Sequence, residues 1–529
     1  MFRLYLLFII LFSSTFDLYA QLEIPQYKKQ NRNVIADVVN GDTPSAQDYF
    51  QSYLQTHAGD LESMYGLALC YSVMNKPDSA VFYVQQALNH GLPFGRFLAG
   101  PRDLFKSLHK HPDFKRMIKE RDIELVHGPM LGNVTDRSAS FWVRTFRQVP
   151  VQVTVSDHQG NVIHSPVVKT NPDHDYTAIL SVNTLLPDQT YHYQLSIGGH
   201  LREERYTFRT FPAEGYPAQF SIGFGGGAGY TPPYERMWNT IASKDLIAFL
   251  LLGDNVYIDH PKIPQVQQYC YYRRQSRPEY RSFVSSSSIF AIWDDHDFTD
   301  NDGFGGPEID TPSWKRPVWN TFKNNWINPY YGGGKPQPGC WFDFSIGDVD
   351  FIMLDGRYYR MNPKVEHPSP PSMLGEAQKQ WLFQQLASSK ATFKVICSPV
   401  PWAQGAKPGK VDTWDGFPQE REDIYSFIEN QKIDGVILLS ADRHRSDAWK
   451  IERPDGYDFY EFESSKISNI HTHDVLPASL FGYNDKSSFG RLNFDTTKDD
   501  PVVAYSVYSI DNELVHKITV KKSQLSFQK

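Results

Sequence analysis

From Phe220 onward the chain repeats one pattern: a short, unbroken apolar run followed at once by a polar loop rich in reactive side chains. The runs read FSIGFG, LIAFLLLGD, SIFAIWDDHD, DFIMLDGR, FKVICSP and DGVILLSADRH. A strand apolar at every position is buried on both faces, so helices must cover it. GEAQKQWLFQQLASS, between two of the runs, has the length and spacing of such a helix. Ligands in these sheets gather beyond the C-terminal strand ends, where the loaded loops fall. The pattern predicts an α/β domain over residues 214–529. Its tail, PVVAYSVYSIDNELVHKITV, returns to alternating strands suited to a flanking sheet.

Three other segments precede it. Residues 1–20 carry Arg3, the apolar run Leu4 to Phe12, and Ala20 at a plausible cleavage point. The run is too short to span a bilayer, so a cleaved secretory signal is expected, and with it export to the periplasm or beyond the cell. Residues 21–123 read as helix pairs broken at Asn75-Lys76-Pro77, and Leu67 through Ala87 resembles one tetratricopeptide repeat. One repeat cannot bury its own face. It either offers a groove to a protein partner or packs on the rest of the chain, and the second reading is favoured. Residues 124–213 alternate apolar and polar positions between Gly, Pro, Asn and Asp turns, which predicts a small antiparallel sandwich of fibronectin type III style.

The net charge of -7 and the absence of a Lys/Arg run exclude a nucleic-acid footprint. No later segment is apolar enough to cross a membrane. Cys70, Cys270, Cys340 and Cys397 are widely and irregularly spaced, with no CxxC, and read as buried free thiols.

The strand ends concentrate the chemistry. LLGDNVYID delivers Asp254 and Tyr257; AIWDDHDFTDND delivers Asp294, Asp295, His296 and Asp297; LLSADRHRSD delivers Asp442 and His444. Carboxylates gathered this closely raise one another's pKa unless cations neutralise them. Oxygen donors with a few imidazoles suit iron, manganese, calcium or zinc. Two ions roughly 3.5–4 Å apart polarise a phosphoryl oxygen and generate a hydroxide near neutral pH. Asp254 is the natural bridge, since Gly253 lets its loop turn tightly. Asp300, Asn301 and Asp302 read equally as metal-side groups or as a solvated turn. His471 and His473 read more readily as a surface loop than as ligands. Trp402 and Tyr230 suit a pocket wall or apolar packing.

The ordered set GDxxY, WDDHD, LDxRxYR and a late DxH resembles the PhoD-like alkaline phosphatases of the calcineurin-like metallophosphoesterase superfamily. The resemblance covers roughly residues 125 to 510, including the sandwich. It implies a four-layer α/β/β/α domain hydrolysing phosphate mono- or diesters by attack of a metal-bound hydroxide. It implies two metal ions, often described as iron with calcium, with zinc or manganese as alternatives. It implies Asp254 as bridge, Tyr257 as phenolate ligand, Asp295 on the second metal, and Asp442 and His444 completing the two spheres. His296 would face the phosphate as general acid or transition-state stabiliser. Arg357 would clamp phosphate or hold Asp355 in place.

One position departs from the family. Where a Cys ligand is expected after the first core strand, this chain has Gly227. A second reading follows: a degenerate phosphate- or glycan-binding module whose helical prefix recruits a partner.

Overall fold

The computed structural model describes residues 30–121 and 123–527, so the secretory signal expected over 1–20 lies outside the described residues. The first strands are β1 (Leu125–Gly132) and β2 (Ala139–Thr145). The core begins with three parallel strands, β3 (Gln219–Gly225), β4 (Ala248–Leu252) and β5 (Ser288–Ile292). All of β4 and β5 is buried, as their unbroken apolar sequence requires. They sit inside a nine-stranded sheet running from the C-terminal strand Leu514–Lys521 through β3, β4 and β5 to β1, β2 and Thr177–Val182.

A second, seven-stranded sheet holds the parallel strands β6 (Val349–Met353), β7 (Phe393–Cys397), β8 (Val436–Ser440) and β9 (Phe459–Ser464). The two sheets meet through aromatic rings. Phe290 of β5 stacks on Phe344 with centroids 3.8 Å apart, and Phe462 of β9 stacks on Tyr505 at 4.6 Å. Helices cover the far sides. Phe283 of helix Pro278–Val284 meets Phe249 of β4 edge-on. On the second sheet, Phe383 of helix Glu376–Ser388 stacks on Phe427 of helix Pro418–Asn430.

The β-rich segment over 124–213 is not closed on itself. Its strands β1, β2 and Thr177–Val182 join the nine-stranded sheet, with Gly132 of β1 paired in parallel to Ile289 of β5. Only its other strands, including Pro150–Ser156 and Thr190–Ile197, form a separate sheet. Three strands of the small sandwich expected from the alternation thus belong to the large sheet, and Phe141 of β2 packs them on the separate sheet against Tyr193 and Phe208. The cause is visible in β2, buried at all seven positions and so covered on both faces.

The prefix contains a helix over 30–39 and helices α1 (Thr43–Thr56), α2 (Leu61–Val73) and α3 (Pro77–Asn89). Asp42 and Asp60 cap α1 and α2 by accepting from the N–H groups of Ser45 and Ser63. Helix α2 is buried around most of its circumference. Gly66 makes this fit possible, because a Cβ there would lie 2.3 Å from the Phe50 ring of α1. The same helix also meets α4 (Pro264–Gln275) of the central α/β domain. There the Tyr269 hydroxyl donates to Glu62 at 2.7 Å, and Arg96 forks onto the same carboxylate at 2.7 and 3.0 Å. The prefix thus packs on the rest of the chain, and the face of α2 that a partner groove would need is covered from within. All four cysteines are buried free thiols. No helix among the described residues is long and apolar enough to cross a membrane.

Candidate metal centre

The loops at the ends of β4, β5 and β8 and the loop after β9 converge on one cavity of about 1220 Å³. Its wall includes Tyr257, Asp295, His296, Asp442 and His444. Five residues at this edge hold left-handed backbone: Asp254 (φ 54°), Asp259 (57°), Asp302 (56°), Asp442 (75°) and His444 (51°). Asp and His tolerate that region better than most residues, and such strain gathers where the surrounding structure over-determines a site.

Tyr257 is the hub of one half. Its hydroxyl donates to Asp254 Oδ2 at 2.7 Å, accepts from Asn469 Nδ2 at 2.6 Å, and lies 3.4 Å from His444 Nε2. His444 Nε2 is itself 3.9 Å from Asp254. In the other half, ligand atoms of Asp254, Asp295 and His296 all lie within 4.8 Å of one another. Asp254 therefore belongs to both groups, as a bridging ligand must. It is buried, and its Oδ1 has no hydrogen-bond partner. Burial and the Asp295 carboxylate push Asp254 up to about 6, although His296 and Tyr257 act against the rise. A buried carboxylate oxygen without a donor is costly unless something cationic faces it, so these residues fit a metal ion.

The surrounding loops are held by side chains that face away from the cavity. Asp297 accepts from the N–H of Val256 at 2.8 Å and of Asp294 at 3.1 Å, tying the β4 and β5 loops together. Arg357 is fully buried and outside the cavity wall. Its Nε donates to Asp294 at 2.6 Å; its terminal nitrogens donate to Asp412 at 2.8 and 3.2 Å and to the Gly303 carbonyl at 3.0 Å. Its backbone N–H, not its guanidinium, meets Asp355. Burial opposes ionisation of Asp295, but Arg357 and His296 hold it below the usual carboxylate range. Asp294 is thus a loop anchor occupied by Arg357.

Asp442 reaches the cavity but is not part of either tight cluster. Its carboxylate stands 3.5 Å from the Lys407 ammonium and 3.6 Å from Arg443. Lys407 also lies 3.3 Å from Asp302 and 3.2 Å from Asp412. Burial works against its charge, but these carboxylates push the ammonium above its usual range. Asn301 and Asp302 line the cavity, and the Asp302 N–H donates to Asp295 at 2.7 Å; Asp300 is exposed. His471 and His473 lie on a loop at the rim, their rings 5.1 and 5.6 Å from that of His444. Trp402 stacks on Trp414 in the core, and Tyr230 lies under Arg273; neither lines the cavity.

Contributors that were not legible as site residues include Asp259, Lys407, Asp412 and Asn469. Asp259 accepts from Nδ1 of His296, leaving Nε2 as the other ring nitrogen. It stands five residues after Asp254 in the same loop, and that spacing is its local sequence signal.

Gly227 has φ 65°, and a Cβ there would come within 3.0 Å of the Lys466 nitrogen. Its carbonyl accepts from the Asn469 N–H at 3.1 Å, so the glycine turn positions the Asn469 that bonds Tyr257.

Two family models match the chain: PhoD-like phosphatase over residues 222–488, and a domain of unknown function over 122–213. Alkaline phosphatase D of Bacillus subtilis (strain 168) is 26% identical over 348 residues, covering 56% of this chain. The chain spans 58% of that relative's length. Among solved structures, one of PhoD matches with a TM-score of 0.61 at 19% identity, covering 75% of this chain and 92% of that one. Purple acid phosphatase PPD1 from yellow lupin (Lupinus luteus) seeds matches with a TM-score of 0.57 at 13% identity, covering 75% of each chain. At these identities the two structures establish the shared fold.

Proposed function

Because the chain belongs to the PhoD-like phosphatase family, we propose that it is a metal-dependent hydrolase of phosphate mono- or diesters, exported by its N-terminal segment. The observation that carries the proposal is Asp254: a buried carboxylate shared by the Tyr257–His444 group and the Asp295–His296 group, with one oxygen unpartnered. In this reading Asp254, Tyr257 and His444 would hold one ion and Asp254 and Asp295 a second, with Asp442 available from the same cavity wall. Iron with calcium is the family's usual pairing. Gly227 removes the thiolate; Asn469 donates through Nδ2 to the Tyr257 hydroxyl, and its amide oxygen accepts from the His471 N–H. When bound, the ions supply Lewis acidity to the phosphoryl oxygens and lower the pKa of the attacking water.

The chain's own groups do the rest. His296, its Nδ1 held by Asp259, delivers the proton of Nε2 to the departing oxygen. Lys407 and Arg443 keep positive charge on the cavity wall where phosphoryl oxygens would lie. Arg357 acts from behind, fixing the loop that carries Asp295. These loops all lie at one edge of the two sheets.

The test is hydrolysis of p-nitrophenyl phosphate and bis-p-nitrophenyl phosphate by the purified chain, before and after chelation. The expected result is hydrolysis of at least one ester, lost on chelation and restored by added metal. Metal bound at the site without hydrolysis of any ester would support the binding-module reading instead.

A further inference from the structure

The helix over 30–39 brings a guanidinium to this site from a part of the chain that neither family match covers. Arg32 is 3% exposed, yet it contributes to the cavity wall. One terminal nitrogen donates to the Tyr257 carbonyl at 2.9 Å. The other donates to Oδ2 of Asp259, whose Oδ1 accepts from His296. Both oxygens of Asp259 are therefore engaged, one by the prefix and one by the imidazole. The helix that carries Arg32 is itself buried along Val34, Ile35 and Val38, so the guanidinium is presented from a fixed base. A forked donor on two acceptors sets orientation as well as charge.

We propose that Arg32 is a positioning residue of the hydrolytic site: it locks Asp259, and through Asp259 the ring of His296, so that Nε2 faces the leaving oxygen. The inference rests on the reading of His296 as proton donor. In that step the water oxygen forms a bond to phosphorus while the bond to the leaving oxygen breaks. The leaving oxygen keeps the electron pair and takes the proton from His296 Nε2. The imidazole then retains its Nδ1 proton against Asp259 and regains the Nε2 proton from solvent. The prefix, in this view, is part of the active site rather than an appendage.

The experiment compares two esters of one phosphate. p-Nitrophenolate leaves readily without a proton, whereas an alkyl alkoxide needs one. Arg32→Ala is expected to slow kcat for an alkyl phosphate by roughly 10–100-fold, the usual cost of losing such an outer partner, and to change p-nitrophenyl phosphate turnover by about threefold or less. Arg32→Lys keeps charge without the fork, so it is expected to fall between the two. It also carries the test if Arg32→Ala does not fold. Asn33→Ala is the control on the same helix, because Asn33 touches His260 and not Asp259. It is expected to leave both rates near wild type.

A second readout does not depend on turnover. In the metal-free protein the His296 Nδ1 proton, assigned by its loss in His296→Gln, is expected far downfield in the proton NMR spectrum. In Arg32→Ala it is expected to move upfield or broaden. If His296→Gln slows both esters equally, the proton-donor reading fails whatever Arg32 does. If His296→Gln is selective for the alkyl ester but the Arg32 variants slow both equally, or neither, and the downfield proton stays in place, Arg32 is not a positioning residue.

Discussion

Arg357 is the most heavily used buried side chain behind the site, and its replacement by methionine has a calculable consequence. The guanidinium gives four charge-assisted hydrogen bonds, to Asp294, twice to Asp412, and to Gly303. Asp412 retains Arg360 and Lys407, 2.8 and 3.2 Å away. Asp294 retains no cation among its described ion pairs and is 1% exposed. Breaking a buried pair on one side costs about 3–5 kcal/mol, because the stranded charge stays desolvated. Arg357→Met is therefore expected to lose about 3–5 kcal/mol. Adding Asp294→Asn is expected to return at least ~1.5 kcal/mol of that, since removing both partners leaves less charge unpaired. The assay is urea unfolding of the metal-free protein followed by tryptophan fluorescence, to which Trp293 in the same loop contributes. Unchanged unfolding in Arg357→Met, together with a tenfold or larger rise in KM, would refute the argument and make the guanidinium a phosphate contact.

Other outcomes follow from the same structure. Burial pushes Glu461 up to about 7, against the N–H donors of Trp402 and Ala403 and the Ser440 hydroxyl. The folded chain then holds a proton that the unfolded chain gives up near pH 4.5, so stability is highest below that pH and falls as pH rises toward 7. The fall is on the order of 3 kcal/mol, and Glu461→Gln is expected to flatten it in melting curves taken from pH 5 to 8. Gly253 has φ 105°, and a Cβ there would sit 2.5 Å from that of Asp294. Gly253→Ala should cost about 1–3 kcal/mol and reduce metal content, measured by thermal unfolding and elemental analysis. Gly227→Cys should cost about 1–2 kcal/mol because of its left-handed backbone, with no gain in bound metal; a stabilised, metal-richer variant would show that the turn accepts a thiolate.

The central α/β domain was legible because fully buried strands have no polar face to hide. Asp254, Tyr257, Asp295, His296 and His444 could be picked out for the same reason: each lies within five residues of the end of an apolar run. The contribution of Arg32 could not, since its Asp259 partner lies 227 residues away; Lys407 has Asp412 five residues on, but its approach to Asp302, 105 residues away, depends on folding. Arg357 was recognisable as important, but whether its fork meets phosphate or protein depends on Asp294 and Asp412, which only folding brings to it. The β-rich segment over 124–213 was read correctly as alternating strands, yet alternation does not say which neighbour β1 will pair with. His471 and His473, read more readily as a surface loop than as ligands, lie on a loop that lines the rim of the cavity.

The decisive measurement is the metal content of the purified chain by elemental analysis, beside that of Asp254→Asn. Two ions per chain are predicted, with at least one lost in the variant together with ester hydrolysis. An Asp254→Asn protein that keeps both ions and its full turnover would contradict the shared-carboxylate centre on which the account stands.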